Sequence, residues 1–452
     1  MDKRNRELIE KDLKYVWHPD TQMKDYENED PIIIERGKGI YVWDIKGNKY
    51  IDAVSSWWVN TLGHSHPELN RALIRQADKI EHILLAGFSH VPAIELAEKL
   101  IKMSCENLTK VFYSDNGSTA VEVALKMAFQ YWLQVGKPEK RKFVALENSY
   151  HGDTLGAVSV GGVDIFSKIF KPLLFDVFQV KSPYCYRCPV TMDRKNCKIK
   201  CIKFVEELFE NHHKEIAAMI VEPLVQGAAG MRMYPAEYLK KLSELCKKYN
   251  ILLIDDEVAM GFGRTGKMFA YEHVPIQPDM VCLAKGLTAG YMPLAVTLTT
   301  DEIFNAFYDE YNNYKTFFHG HSFTGNPLAC AVALENLRVL KEEKIIEKLQ
   351  PKIEFFSKEI QRLKHLHYVG DVRSTGLVGA VELVMDKNTK KLFDPKLRVG
   401  KRVYDEALKL GAILRPIGNV IYFIPPYVIT NEEIKTLVDI TYEAINIATK
   451  PF

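Results

Sequence analysis

Residues 251–287 read ILLIDDEVAMGFGRTGKMFAYEHVPIQPDMVCLAKGL. Two short apolar runs, ILLID at 251–255 and DMVCLA at 279–284, flank a stretch too broken by glycine and proline to be one helix. Apolar runs this short and this continuous fit strands buried on both faces, as in parallel sheets. The first run ends in Asp255-Asp256-Glu257 and the second runs straight into Lys285-Gly286. In open parallel sheets ligands sit at the carboxyl ends of the strands. An acid, Asp256, and an amine, Lys285, are therefore expected on the rim of one cleft. A carboxylate there can keep a cationic partner protonated. A lysine partly buried at a strand end has its pKa lowered, which frees its amine for Schiff-base chemistry.

Working outward, the same alternation extends over most of the chain. Runs at 110–113 (KVFY), 142–146 (KFVAL), 217–222 (AAMIVE) and 294–299 (LAVTLT) alternate with helical stretches at 67–82, 92–103, 118–134 and 235–249. The expected fold is α/β, a mostly parallel sheet covered by helices on both faces. Before it, residues 1–60 read as a short amphipathic helix and an antiparallel meander at 31–56, punctuated by Gly37-Lys38-Gly39 and Lys46-Gly47-Asn48. After a long helix from Pro327, residues 331–452 form a smaller α+β unit. Its helices are expected at 351–364 and 398–410 and at the C-terminus, with strands at 368–372, 376–384, 412–415 and 420–424. The large unit spans 61–330, and the N-terminal segment is expected to pack with the small one.

Composition narrows the functional classes. The chain has 452 residues, 47% hydrophobic and 26% charged, which is globular composition. Its 60 basic and 58 acidic residues leave a net charge of +2, without the basic footprint that nucleic-acid binding requires. No apolar stretch is long enough to span a bilayer. The first 15 residues are charged throughout and lack the core of a signal peptide, so a cytoplasmic location is expected. Of eight cysteines, Cys105, Cys246, Cys282 and Cys330 are scattered and read as small buried hydrophobes. The others cluster as Cys185-x2-Cys188-x8-Cys197-x3-Cys201, a spacing open to a structural metal, to disulfides or to bystander loop cysteines.

Two further strand ends carry chemistry. KVFY is followed by Ser114-Asp115-Asn116-Gly117-Ser118-Thr119 and a helix, an arrangement suited to an anion or to simple capping by Ser118 or Thr119. KFVAL leads to Tyr150, an aromatic on the rim that can stack on a flat heterocycle. GFGRTG at 261–266 matches GxGxxG, but it neither follows a strand directly nor opens a helix, so a nicotinamide fingerprint is rejected. The pairs His64/His66 and His319/His321 have no third ligand, and no catalytic metal is expected.

An anion site, a stacking Tyr, a strand-end Asp and a strand-end Lys, in this order, resemble the class III aminotransferases of pyridoxal phosphate fold type I. Asp256-Glu257-Val258 with GFGRTG, then Pro278-Asp279 and Lys285-Gly286-Leu287, look like that class's signature. The likeness runs over nearly the whole chain. It takes in WHP (17–19) with TQM (21–23), SSWW (55–58), SDNGSTAVEVALKMAFQYW (114–132), SYHGDTLGAVSV (149–160), EPLVQGAAGMRMYP (222–235), FHGHSFTGNPLACA (318–331) and LRPIGNVIYFIPPY (414–427). These stretches are most similar to the branch of the class that aminates 8-amino-7-oxononanoate in biotin synthesis.

The resemblance implies a seven-stranded large-domain sheet and pyridoxal 5'-phosphate as cofactor. Lys285 would hold the cofactor covalently and move the proton, and Asp256 would pair with the ring nitrogen. Tyr150 and Val258 would cover the two ring faces. Gly117 and Ser118 would hold the phosphate, joined by His321 and Ser322 from the partner subunit of a homodimer. Trp57, Gly320 and Arg415 would contact substrate, Arg415 through a carboxylate, with Trp58 and Arg264 lining the same cleft. The sequence departs from the family at Asp20, where Tyr is frequent, and at Met260, where a small polar residue is usual. His321-Ser322 is similar to the branch that uses lysine as amino donor, whereas Trp57-Trp58 is similar to the adenosylmethionine branch. Aminotransferases of the ornithine, acetylornithine or 4-aminobutyrate type are the alternative within the class.

Overall fold

The computed structural model describes residues 3–452. Its largest sheet has seven strands: β1 (Leu108–Ser114), β2 (Lys142–Leu146), β3 (Val177–Val180), β4 (Ile216–Val221), β5 (Leu252–Asp256), β6 (Met280–Leu283) and β7 (Ala295–Thr300). They lie in the order β1-β7-β6-β5-β4-β2-β3. Only β7 is antiparallel to its neighbours. Every residue of β4, β5 and β6 is buried, which is why these strands read as unbroken apolar runs. The fold is α/β, a mostly parallel sheet covered by helices, as expected. Six of the strands lie where the apolar runs predicted them. The seventh, β3, is an edge strand with one buried residue in four, so its sequence VFQV carries no burial signal.

Helix Gly117–Gln134 packs small residues, Ala120, Ala124 and Ala128, toward the sheet, which lets it lie close to β6 and β7. Its N-cap is Asn116, with Thr119 closing a reciprocal capping box, instead of the expected Ser118 or Thr119. Ser118 is thereby left for another partner. The helix expected at 351–364 runs over Ile345–Ile360, so Pro351 lies inside it and does not start it.

The meander Ile34–Lys38, Tyr41–Asp44 and Lys49–Asp52 is antiparallel. Lys49–Asp52 also pairs in parallel with Ala412–Ile413, so both ends of the chain share one sheet. A second sheet of Val369–Thr375, Val378–Leu383 and Val420–Phe423 is fully antiparallel. Arg264, in the glycine-rich turn after β5, is 1% exposed and donates to the carbonyls of Pro425 (2.7 Å) and Asn60 (3.2 Å). It is also within electrostatic reach of Lys285, from a buried position. It clips the N- and C-terminal segments to the large sheet. No helix among the described residues is long and apolar enough to cross a membrane.

Candidate active site

The carboxyl ends of β2, β4, β5 and β6 converge. Asp256 is the last residue of β5 and stands opposite Cys282 of β6, three residues before Lys285. Lys285 takes a left-handed backbone (φ 46°), which a non-glycine residue adopts only where its surroundings impose it. Its Nζ lies 4.5 Å from the centre of the buried Trp58 ring. Burial pulls its pKa down to about 8, against the upward pull of Asp256 and Glu222. Such an amine is a usable nucleophile and base near neutrality.

Asp256 is almost wholly enclosed. Its Oδ1 accepts from the Val258 N–H (3.1 Å), and its Oδ2 lies 2.6 Å from His151 Nδ1. The neighbouring Glu222, just beyond β4, accepts from the N–H groups of Tyr150 (3.0 Å) and Gly227 (2.9 Å). Burial pushes its carboxyl up to about 7. Neither His151 nor Glu222 was singled out from the sequence. Glu222 carried the same signal as Asp256, an acid closing an apolar run. His151 carried none, because its partner lies 105 residues away.

At the end of β1, a Cβ added to Gly117 would stand 2.5 Å from Val258 Cγ1. One added to Gly152, which has φ +124°, would stand 1.8 Å from Ser118 Oγ. Ser118 Oγ accepts from the Asp153 N–H (3.0 Å). Gly117, Ser118, Val258 and the 150–153 turn therefore form one tightly packed floor. The Tyr150 hydroxyl donates to Asp153 (2.8 Å), and burial together with that carboxylate pushes its pKa well up, so the phenol stays protonated.

The expected substrate residues fall into two groups. Trp57 is half exposed, and the Arg415 guanidinium stacks 4.1 Å from its ring centre. The turn carrying Trp57 is strained, with positive φ at Ser55, Ser56 and Trp58, and Asp52 pins it by accepting from the Ser56 N–H at 2.7 Å. Trp58 is buried instead of lining open space, its indole N–H donating to Tyr422 (3.1 Å). Asp20 is exposed, left-handed (φ 49°) and within electrostatic reach of Tyr150. Gly320, His321 and Ser322 are exposed. His321 Nδ1 pairs with Asp115 (2.6 Å), two residues ahead of Gly117.

These residues fit pyridoxal 5'-phosphate. A depressed buried amine, an enclosed carboxylate, an apolar and an aromatic side chain, and a helix start above a glycine floor suit its aldehyde, ring nitrogen, ring faces and phosphate in turn. Comparison with known proteins agrees. The family description "Aminotransferase class-III" matches residues 23–445. The chain is 50% identical over 439 residues, 97% of each chain, to adenosylmethionine-8-amino-7-oxononanoate aminotransferase of Geobacter sulfurreducens. The crystal structure of the enzyme of that name from Methanocaldococcus jannaschii superposes with a TM-score of 0.93 at 46% identity, covering 98% of this chain and 99% of the other. An omega transaminase from Pseudomonas jessenii, in complex with PMP, gives a TM-score of 0.93 at 34% identity over 98% of each chain. The chain belongs to the class III aminotransferases and is a pyridoxal 5'-phosphate-dependent enzyme.

Proposed function

We propose that this aminotransferase acts in biotin synthesis, passing an amino group from S-adenosylmethionine to 8-amino-7-oxononanoate to give 7,8-diaminononanoate. The observation that carries this reading is the Arg415–Trp57 pair. A guanidinium 4.1 Å from the centre of an exposed indole can donate charge-assisted hydrogen bonds to a carboxylate, and the ring offers a wall for an alkyl chain. A 7-oxo acid whose carboxylate is separated from the ketone by a run of methylenes has both features. The relatives bearing that enzyme's name support the same choice.

Bound in this site, pyridoxal phosphate supplies an aldehyde to carry the amino group and a protonated ring to stabilise negative charge on the reacting carbon. The chain's own residues do the rest. Lys285 anchors the cofactor and, once released, moves the proton between carbon atoms as general base and acid. Asp256 keeps the ring nitrogen protonated, and His151 holds Asp256 in place. Tyr150 and Val258 sandwich the ring, while Gly117 and Ser118 receive the phosphate. The reaction is ping-pong: the donor leaves as its oxo product before the acceptor enters.

Large apolar side chains are exposed on 84–94 (Leu84, Phe88, Val91, Ile94) and at Phe318 and Phe323. A patch of this kind suits a homodimer interface, from which His321 and Ser322 would reach the partner's phosphate. Residues 61–330 then serve as the cofactor unit, with 1–60 and 331–452 closing over the substrate, in the cytoplasm.

A second reading keeps the acceptor and takes lysine as donor. It is favoured by Asp20, an exposed carboxylate close to Tyr150 that suits a second ammonium. Supplying the enzyme with 8-amino-7-oxononanoate and either donor, with diaminononanoate as the readout, decides between them. Product from neither donor rejects the proposal.

A further inference from the structure

The four clustered cysteines lie between β3 and helix Lys203–His212, in a segment without strands. Cys185, Cys188, Cys197 and Cys201 all line one cavity of about 20 Å³, together with Tyr184 and Arg194. That volume holds one water-sized particle and little more. Each of the four is a free thiol, Cys197 buried and Cys185 exposed. Cys201 is within electrostatic reach of the other three. The backbone is forced to bring them there: Thr191, Lys198 and Ile199 all have positive φ, and for β-branched Ile199 (φ 59°) that conformation is costly. Between Cys185 and Cys201 stand five basic residues, Arg187, Arg194, Lys195, Lys198 and Lys200, against one acid, Asp193.

We propose that these four cysteines are a structural tetrathiolate zinc site. The ligand number and the C-x2-C spacing suit tetrahedral zinc, the cavity suits one ion, and exposed Cys185 gives it an entry path. Four thiolates on one divalent ion make a doubly negative centre, and Arg194, which lines the cavity and lies within electrostatic reach of Cys185, lowers its cost. Among the described residues no three His, Cys, Asp or Glu side chains already stand as a metal cage. Binding therefore draws the thiols inward by side-chain rotation, with release of their protons. The ion would brace a clamp between the two units. Arg187 donates twice to Glu382 of the small unit's sheet (2.8 and 2.7 Å), Tyr184 donates to the same carboxylate, and Lys390 donates to the Tyr186 carbonyl (2.6 Å).

The test is metal content of the cofactor-loaded enzyme, prepared with zinc in the growth medium and without chelator, read by atomic emission. About one zinc per chain is expected, falling at least about tenfold in Cys185→Ser and unchanged in Cys105→Ser outside the cluster. Bound-cofactor absorbance should persist in Cys185→Ser, which shows that the chain is folded. Cys185 is chosen because it is exposed, so its loss leaves no buried cavity. Zinc below about one-tenth per chain in the parent, or equal zinc in Cys185→Ser, overturns the proposal. So does a disulfide within the cluster in the unreduced protein's mass spectrum.

Discussion

Replacing His151 by Leu isolates a role that turns on one bond. The side chains of His151 and Asp256 are 0% and 5% exposed, and Nδ1 and Oδ2 are 2.6 Å apart. Oδ1 is already satisfied by Val258, and His151 Nε2 has no partner, so the proton that matters is the one on Nδ1 facing Asp256. Leucine keeps most of the volume and removes that donor. A hydrogen bond to a buried charge contributes about 1.5–3 kcal/mol, or about 10- to 150-fold in an equilibrium or a rate. Asp256 freed on one side should swing and hold the ring nitrogen less well. The donor half-reaction, followed by the cofactor's visible absorbance in single turnover, should slow by about that factor, and cofactor affinity should weaken alongside it. The effect must also run through Asp256. In an Asp256→Asn background, adding His151→Leu should cost less than about 0.5 kcal/mol more. A half-reaction within twofold of the parent, or full additivity of the two substitutions, refutes the relay.

Other substitutions test other parts of the site and its frame. Arg415→Ala should raise the KM for the oxo acid by about 10- to 100-fold while leaving the donor KM within about twofold; equal effects on both would contradict carboxylate recognition. Lys140 is buried without a carboxylate partner and donates to the carbonyls of His213 (2.9 Å), Ile216 (2.9 Å) and Asn250 (2.7 Å), so Lys140→Met should cost about 2–4 kcal/mol in a urea titration with cofactor binding otherwise normal. Glu222, raised from 4.5 to about 7, contributes stability that is full below pH 4.5 and lost as the pH rises through 7. Glu222→Gln should flatten the fall in Tm between pH 5 and 8, removing up to about 3 kcal/mol of pH dependence; an unchanged slope would show that Glu222 is not protonated in the fold.

The parts of the site legible in the sequence are those where a single strand end carries its own signal. Asp256 ends β5 and Lys285 follows β6 by two residues, so each charged residue stands where a buried, mostly apolar run gives out. Gly117 and Ser118 are marked by a polar turn between a strand and a helix. What stayed illegible depends on which ends become neighbours. His151 follows β2 and Asp256 closes β5, and β4 lies between those strands, so no local pattern links them. Arg264 is placed at the cleft by the family resemblance alone, with no signal of its own in the sequence. Its true partners are carbonyls of Asn60 and Pro425, at distances along the chain that no periodicity spans. β3 failed for the opposite reason: an edge strand half open to water carries no burial pattern.

The same geometry separates what this enzyme can vary from what it cannot. Lys285, Asp256, His151 and Glu222, proposed above to serve the cofactor, sit at or just beyond the ends of buried strands or within a turn packed against Ser118. Asp20, Trp57, Gly320 and Arg415, proposed to meet substrate, lie on partly or fully exposed segments far apart in the chain. A substitution in the first group disturbs packing and chemistry together. One in the second can trade charge or shape while the proton-moving machinery stays intact. Of the two departures from the family, Asp20 stands on an exposed left-handed turn, where Asp is tolerated sterically and leaves its carboxylate free for a cation, whereas Met260 is buried in the core and does not follow that division. Under the proposed function, donor choice would be set at the mouth of the cleft, by charge, and the reaction type at its floor, by geometry.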